Sequence, residues 1–233
     1  MGRFTDHGDD FGVIVRSLGY LFREGMAFTL TLTVLAALGG CALGTVLALM
    51  RLSSLRVLSQ LAALYINLMR SIPLLLVIFW FYFLVPFVLA WAVGSKTPLQ
   101  IGAFWSSVLT FTLFEAAYFA EIVRAGIRSV PQGQAGAAFA LGLNYAQTMR
   151  YVVLPQAFRN MLPVLFTQMV VLFQDTSLVY VLSVTDFLGA ATKIGQRDGR
   201  LVEMYVFVAA VYFLISYALS WQVKRLQARM AMS

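Results

Sequence analysis

Five stretches of the chain are apolar throughout, with no alternation of period two. They cover residues 27–50, 71–93, 97–124, 160–185 and 204–223. Each is long enough to cross a hydrocarbon core, which takes roughly 20 apolar residues in a helix. Backbone groups in lipid must be satisfied internally, so uninterrupted apolar runs predict helices, and a barrel would need alternation. The third run continues past Glu115 and Glu121, and the fourth contains Asp175. Residues 57–69 are also uncharged. Alone they are too few to cross, and they predict a helical segment near the membrane surface that leads into the second span. The expected fold is an all-α integral membrane protein of about five transmembrane helices. It forms a single transmembrane domain over residues 1–233, with no linker.

Composition sharpens this picture. Of 233 residues 61% are hydrophobic and 12% charged, with a mean hydropathy of +0.82. Soluble domains carry about 25% charged residues, so a cytosolic enzyme, a disordered chain and a disulfide scaffold are excluded. The chain has one cysteine, Cys41, and one histidine, His7. They supply neither an intrachain disulfide nor a metal site, and membrane-embedded catalysis lacks its usual acid, His and Cys clusters. No GxxxxGK[ST], HExxH, GxSxG or GxGxxG pattern occurs. Residues 1–24 lack the short apolar core of a cleaved signal, so the first span directs insertion.

Five spans place the termini on opposite sides. With the N-terminus outside, the inner segments hold ten Lys and Arg residues and the outer segments seven. That excess favours a periplasmic N-terminus and a cytoplasmic C-terminus. The net charge of +7 then reads as topology and contact with anionic lipid. The bases are scattered in ones and twos, with no stripe for nucleic acid.

The one long cytoplasmic segment covers about 129–158. It opens with the turn signal Val130-Pro131-Gln132-Gly133. An Ala-rich helical stretch follows, Gly142 breaks it, and a second helical stretch ends at Leu154-Pro155, because the residue before proline disfavours helix. The small residues suit close approach by another protein surface, or a surface helix against the inner leaflet.

Ionisable groups inside a span face a bundle interior or a wet cavity. Glu115 and Glu121 are six residues apart, about 240° net around a helix, so they do not share one narrow face. Glu121 and Arg124 are three apart, within reach of an ion pair. The run Gln174-Asp175-Thr176-Ser177 suits the polar lining of a translocation path, or hydrogen bonding between helices. Pro73 opens the second span at Arg70-Ser71-Ile72-Pro73, and Pro86 is expected to kink it. Phe79 to Phe83 read as packing and lipid-facing bulk, and Trp91 and Trp105 as interfacial anchors.

The segment GAAFALGLNYAQTMRYVVLP, Gly136 to Pro155, resembles the EAA loop of bacterial ABC importer permeases. In that pattern EAA is followed by three residues, Gly, nine residues, Ile, one residue and Leu-Pro. Ala137, Ala138, Gly142, Leu154 and Pro155 match, Val152 replaces Ile, and Gly136 stands where the family has Glu. The stretches RSIPLLLVIFWFYFLVP, FEAAYFAEIVRAGI and FQDTSLVYVLS are similar to the polar amino-acid branch, and within it to glutamate/aspartate permease subunits.

The resemblance implies a homo- or heterodimeric permease core in the bacterial inner membrane. It implies two ATPase subunits that bind ATP and Mg and dock on the EAA loops, and a periplasmic binding protein that delivers the amino acid. It assigns coupling to Ala137, Ala138, Gly142, Leu154 and Pro155, and no cofactor to this chain. The expected substrate path uses Glu115, Gln174, Asp175, Thr176 and Ser177, with Glu121. An acidic substrate would then meet acidic side chains, unless its ammonium group is what they hold. The competing reading is a proton-coupled carrier using Glu115 and Asp175, against which stand the short chain and the lack of an internal repeat.

Overall fold

The computed structural model of the chain describes residues 12–99 and 101–231. Arg3, Asp6, His7, Asp9 and Asp10, the polar charges of the expected outer N-terminal segment, lie outside the described residues. Eight helices account for the described regular structure: α1 (Gly12–Leu52), α2 (Arg56–Ser71), α3 (Leu74–Ala92), α4 (Ala103–Arg128), α5 (Gln132–Ala140), α6 (Tyr145–Leu182), α7 (Phe187–Asp198) and α8 (Leu201–Ala231). Five of them, α1, α3, α4, α6 and α8, are long and apolar enough to span a membrane. The five expected spans fall on these five helices.

The bundle is built on the pair α1 and α4. Ala36, Gly40, Gly44 and Ala48 recur every fourth residue of α1 and are all buried, so they form one stripe of small side chains. A Cβ on Gly44 would stand 2.8 Å from the Ala116 carbonyl oxygen, and one on Gly39 would stand 2.8 Å from Thr112 Cγ2. Lipid tails are as apolar as leucine, so helices in a bilayer gain mainly from such close packing.

The segment 57–69 is helical and leads into the second span, as expected. It forms most of α2, which packs Ala62 and Ile66 against Leu47 and Ala48 of α1 and Ala116, Ala117, Ala120 and Val123 of α4. The Tyr65 hydroxyl donates to the Leu113 carbonyl at 2.7 Å. On the far side of a break, α3 packs Leu74, Val77 and Ile78 against Leu32, Ala36 and Ala37 and against Phe111 and Phe114. A short break separates the two helices, and α3 alone is long and apolar enough to span a membrane. The break is Ile72-Pro73, both extended (φ −107°, ψ 135° and φ −59°, ψ 132°). The proline ring drives the residue before it out of the helical region.

One boundary differs from its sequence reading. Leu154-Pro155 does not end a helix: α6 runs through it. A π turn over Met149–Val153 precedes the proline, and Leu154 stays helical (φ −61°, ψ −40°). The π turn widens the backbone where the ring would otherwise meet the preceding carbonyls. The Gln156 side-chain amide donates to the Val152 carbonyl at 2.9 Å. Pro86 follows another π turn, Trp80–Leu84, and α3 likewise continues through it.

Between α6 and α8 the expected outer segment folds inward as α7. Ser183 has left-handed backbone (φ 59°), and Asp186 caps α7 by accepting from Leu188 N at 3.1 Å and Gly189 N at 3.0 Å. Phe187, Ala190, Ala191 and Ile194 then pack on Leu21, Met26, Phe173, Met204 and Val208. The Phe187 N–H donates to the Thr29 hydroxyl at 3.0 Å, tying α7 to α1. Trp91 and Trp105 are 84% and 63% exposed at the ends of α3 and α4, where interfacial anchors belong.

Candidate functional site

The break between α2 and α3 opens the bundle. Arg70 lies in the last turn of α2, and its guanidinium carbon stands 5.4 Å from the centre of the Tyr118 ring of α4. Two cavities meet at this residue. One, of about 420 Å³, is lined by Arg70, Pro73, Phe114, Tyr118, Gln168 and Asp175 among others. The other, of about 460 Å³, runs toward the α4–α5 turn past Glu121, Ser129 and Asn160. Arg70, Tyr118 and Gln168 line both.

The expected path residues divide. Asp175 lines the first cavity and Glu121 the second. Glu121 is bonded to Arg124 through both of its oxygens, the pair the three-residue spacing predicts. Glu115 is fully buried and lines neither cavity. One of its oxygens accepts from Gln168 Nε2 at 3.0 Å and the other has no hydrogen-bond partner. Glu115 therefore sits behind Gln168 and holds its amide. Thr176 is fully buried and donates to the Phe173 carbonyl at 2.7 Å, a bond within its own helix. Gln174 is exposed and Ser177 half-buried, and neither lines these cavities.

The sequence reading missed Arg70, Tyr118 and Gln168 as site residues. Arg70 was one base among the inner ten. Its signal was the proline three residues on: a helix that breaks there leaves the arginine in its last turn, beside the break. No ion pair joins Arg70 to a carboxylate among the described residues. Its charge stands over the Tyr118 ring, which accepts no N–H in a conventional hydrogen bond. No group of three or more His, Cys, Asp or Glu side chains that could hold a metal occurs among the described residues.

At the other functional region, α5 ends at Ala140, and Gly142 turns the chain with φ +83°, a conformation costly for residues with a Cβ. Asn144 then caps α6 in a reciprocal box with Gln147, at 2.9 Å in both directions. Around this turn Phe139, Leu141 and Tyr145 are 49%, 82% and 71% exposed, and Ala137 is exposed while Ala138 is buried.

Comparison with known proteins agrees with this architecture. Residues 40–232 match the family described as binding-protein-dependent transport system inner membrane component. The chain is 49% identical over 222 residues to the glutamate/aspartate import permease protein GltK of Escherichia coli O6:H1, covering 95% of this chain and 98% of that one. It is 31% identical to the arginine transport system permease protein ArtQ of Bacillus subtilis, covering 95% and 97%. A crystal structure of an amino acid ABC transporter with histidines superposes with a TM-score of 0.84 at 32% identity, covering 94% of this chain and 98% of that one. The chain therefore belongs to the binding-protein-dependent transport family, as a multi-pass inner-membrane permease subunit of an ABC importer and not an enzyme.

Proposed function

We propose that this subunit carries glutamate or aspartate across the membrane, with Arg70 binding a substrate carboxylate and Asp175 the ammonium group. The observation that carries the reading is an exposed guanidinium with no acidic partner at the junction of two cavities, beside the break between α2 and α3. A planar guanidinium takes a carboxylate through two parallel charge-assisted bonds. This removes the difficulty that an acidic cargo meets acidic walls. Glu121 is neutralised by Arg124, and Glu115 is spent on Gln168, whose carbonyl oxygen is left as an acceptor for the ammonium. Asp175 is the one acid of the site that neither an arginine nor an amide holds. The likeness to a glutamate/aspartate permease supports the choice of cargo.

The coupling surface is the exposed apolar turn around Gly142, with Ala137 and Ala138 on α5 and Leu154 and Pro155 inside α6. A pair of ATPase subunits docks there, and ATP and Mg act in those subunits. A second permease subunit, the same or similar, completes the core, and a periplasmic binding protein delivers the substrate. The N-terminus is periplasmic and the C-terminus cytoplasmic, following the distribution of basic residues.

The test is ATP-driven uptake in proteoliposomes that contain the ATPase and the binding protein. Arg70→Gln lowers glutamate uptake roughly 10- to 100-fold, the equivalent of one hydrogen-bonded charge. Arg70→Lys falls between, and Asp175→Asn lowers uptake without lowering ATPase association. Wild-type uptake by Arg70→Gln, or uptake driven by a proton gradient without ATP, overturns the reading.

A further inference from the structure

A third cavity, of about 590 Å³, is a crevice between α6 and α8 floored by Leu30 and Thr33 of α1. On α6 its lining is Phe166, Met169, Val170 and Phe173. The α6 residues of the polar cavities are 160, 161, 164, 168, 171 and 175. At 100° per residue the two sets fall on opposite faces of the helix. The crevice therefore looks away from the polar path, toward the surrounding bilayer.

Along α8 the crevice runs from Ile215, near the middle of the helix, to Arg229 near its end. Fourteen residues of helix rise about 21 Å, and one leaflet with its headgroups measures roughly 20–22 Å. The wall changes character over that length. Ile215, Leu219 and Val223 are apolar, and at the mouth stand Trp221, Arg225 and Arg229. The Arg225 guanidinium stacks on the Trp221 ring at 3.4 Å, which leaves its edge N–H groups pointing away from the ring. Arg225 and Arg229 are one turn apart on the same face, a repulsive pair without an anion between them. Among the described residues no carboxylate side chain lines the crevice, and residues 204–233 contain no Asp or Glu.

We propose that this crevice binds an anionic phospholipid. Its phosphate lies on Arg225 and Arg229 and an acyl chain runs along Leu219 and Ile215 toward the middle of the membrane. Basic pockets between transmembrane helices recognise such headgroups. On the proposed orientation this leaflet is the cytoplasmic one, and the site itself does not depend on that orientation.

The experiment is native mass spectrometry of the purified importer released from nanodiscs of equal phosphatidylglycerol and phosphatidylcholine. The wild type retains phosphatidylglycerol in excess. Each guanidinium removed in Arg225→Ala and Arg229→Ala lowers that excess roughly fivefold, about 1 kcal/mol per basic residue. The double lysine variant keeps most of it. Leu219→Trp, which fills the crevice without changing charge, lowers retention of both lipids. Equal retention of the two lipids by wild type, or an excess unchanged in the double alanine variant, overturns the proposal. So does a disulfide between two copies carrying Leu226→Cys, which assigns the crevice to a second subunit. Labelling of Gln227→Cys by an impermeant thiol reagent from outside overturns only the orientation and leaves the lipid result standing.

Discussion

Two proline steps in apolar sequence, Ile72-Pro73 and Leu154-Pro155, have opposite outcomes. At the first, both residues are extended and the chain forms two separate helices. At the second the helix runs on. A π turn ends immediately before Leu154, and the Gln156 side chain serves a carbonyl within it. No such turn precedes Ile72, where α2 keeps α-helical geometry to Ser71. Proline does not by itself stop a helix. The helix α6 also runs through Pro163, with regular α-helix before it, and α3 runs through Pro86 after a π turn.

The comparison can be broken most severely at Gly142, the actual break in the loop segment. Its φ of +83° lies far from the −65° that a proline ring imposes. Gly142→Pro is expected to leave the spans inserted, by protease protection, and to reduce ATP-driven uptake to background. Uptake at normal expression would remove the turn from any coupling role. Pro73→Ala comes next. Proline disfavours a helix interior by about 3 kcal/mol, so its removal lets α2 and α3 join and carries Arg70 away from Tyr118. Uptake is expected to fall about tenfold or more, the value of one charged contact. Thiol accessibility of Ser71→Cys should fall with it, and unchanged accessibility would mean that packing, not Pro73, holds the break open.

A smaller effect belongs to the end of α6, which is made without proline by Ser183 and Asp186. Burial pushes the Asp186 carboxyl up to about 6, against two backbone N–H bonds that favour its charged form. The native state thus holds the proton over a range where the unfolded chain, near 3.9, has lost it. The resulting stability is present below about pH 4 and is lost as pH rises through about 6. Asp186→Asn keeps one of the two cap bonds and, having no titrating group, should flatten that part of a pH series of melting temperatures. The smallest effect is expected from Pro155→Ala. With the π turn already in place, stability should move by no more than about 1 kcal/mol and uptake by less than about twofold. A large loss would show that the ring itself shapes the junction.

Much of this was legible before any coordinates. Apolar runs of span length named the five spanning helices, because lipid demands length and little else. The Glu121–Arg124 pair followed from helical spacing, and the turn at Gly142 from the residue type. The packing of 57–69 was not legible, because a short uncharged run does not reveal the contacts that α2 makes with α1 and α4. Arg70 was hidden because a base at the start of a span reads as topology. Gln168 and Tyr118 are uncharged residues within apolar runs, and tertiary packing alone distinguishes them from their neighbours. Thr176 and Gln174 were drawn in by adjacency to Asp175, although neighbouring residues on a helix point in different directions.

The four-residue stripe of Ala36, Gly40, Gly44 and Ala48 bears on how a subunit of this kind can move. With glycine Cα atoms pressed onto the backbone at Ala116 and the ring of Phe119, α1 and α4 have no free volume in which to slide past one another. They are a chassis. A change of access must be taken up at joints around it, and three elements beside it hold backbone in a shape a regular helix does not have: the extended step at Ile72-Pro73, the wide turn at Met149–Val153 and the left-handed residue at Ser183. Each joins segments that are themselves packed, so the immobile centre leaves these irregular steps as the places where the chain can bend.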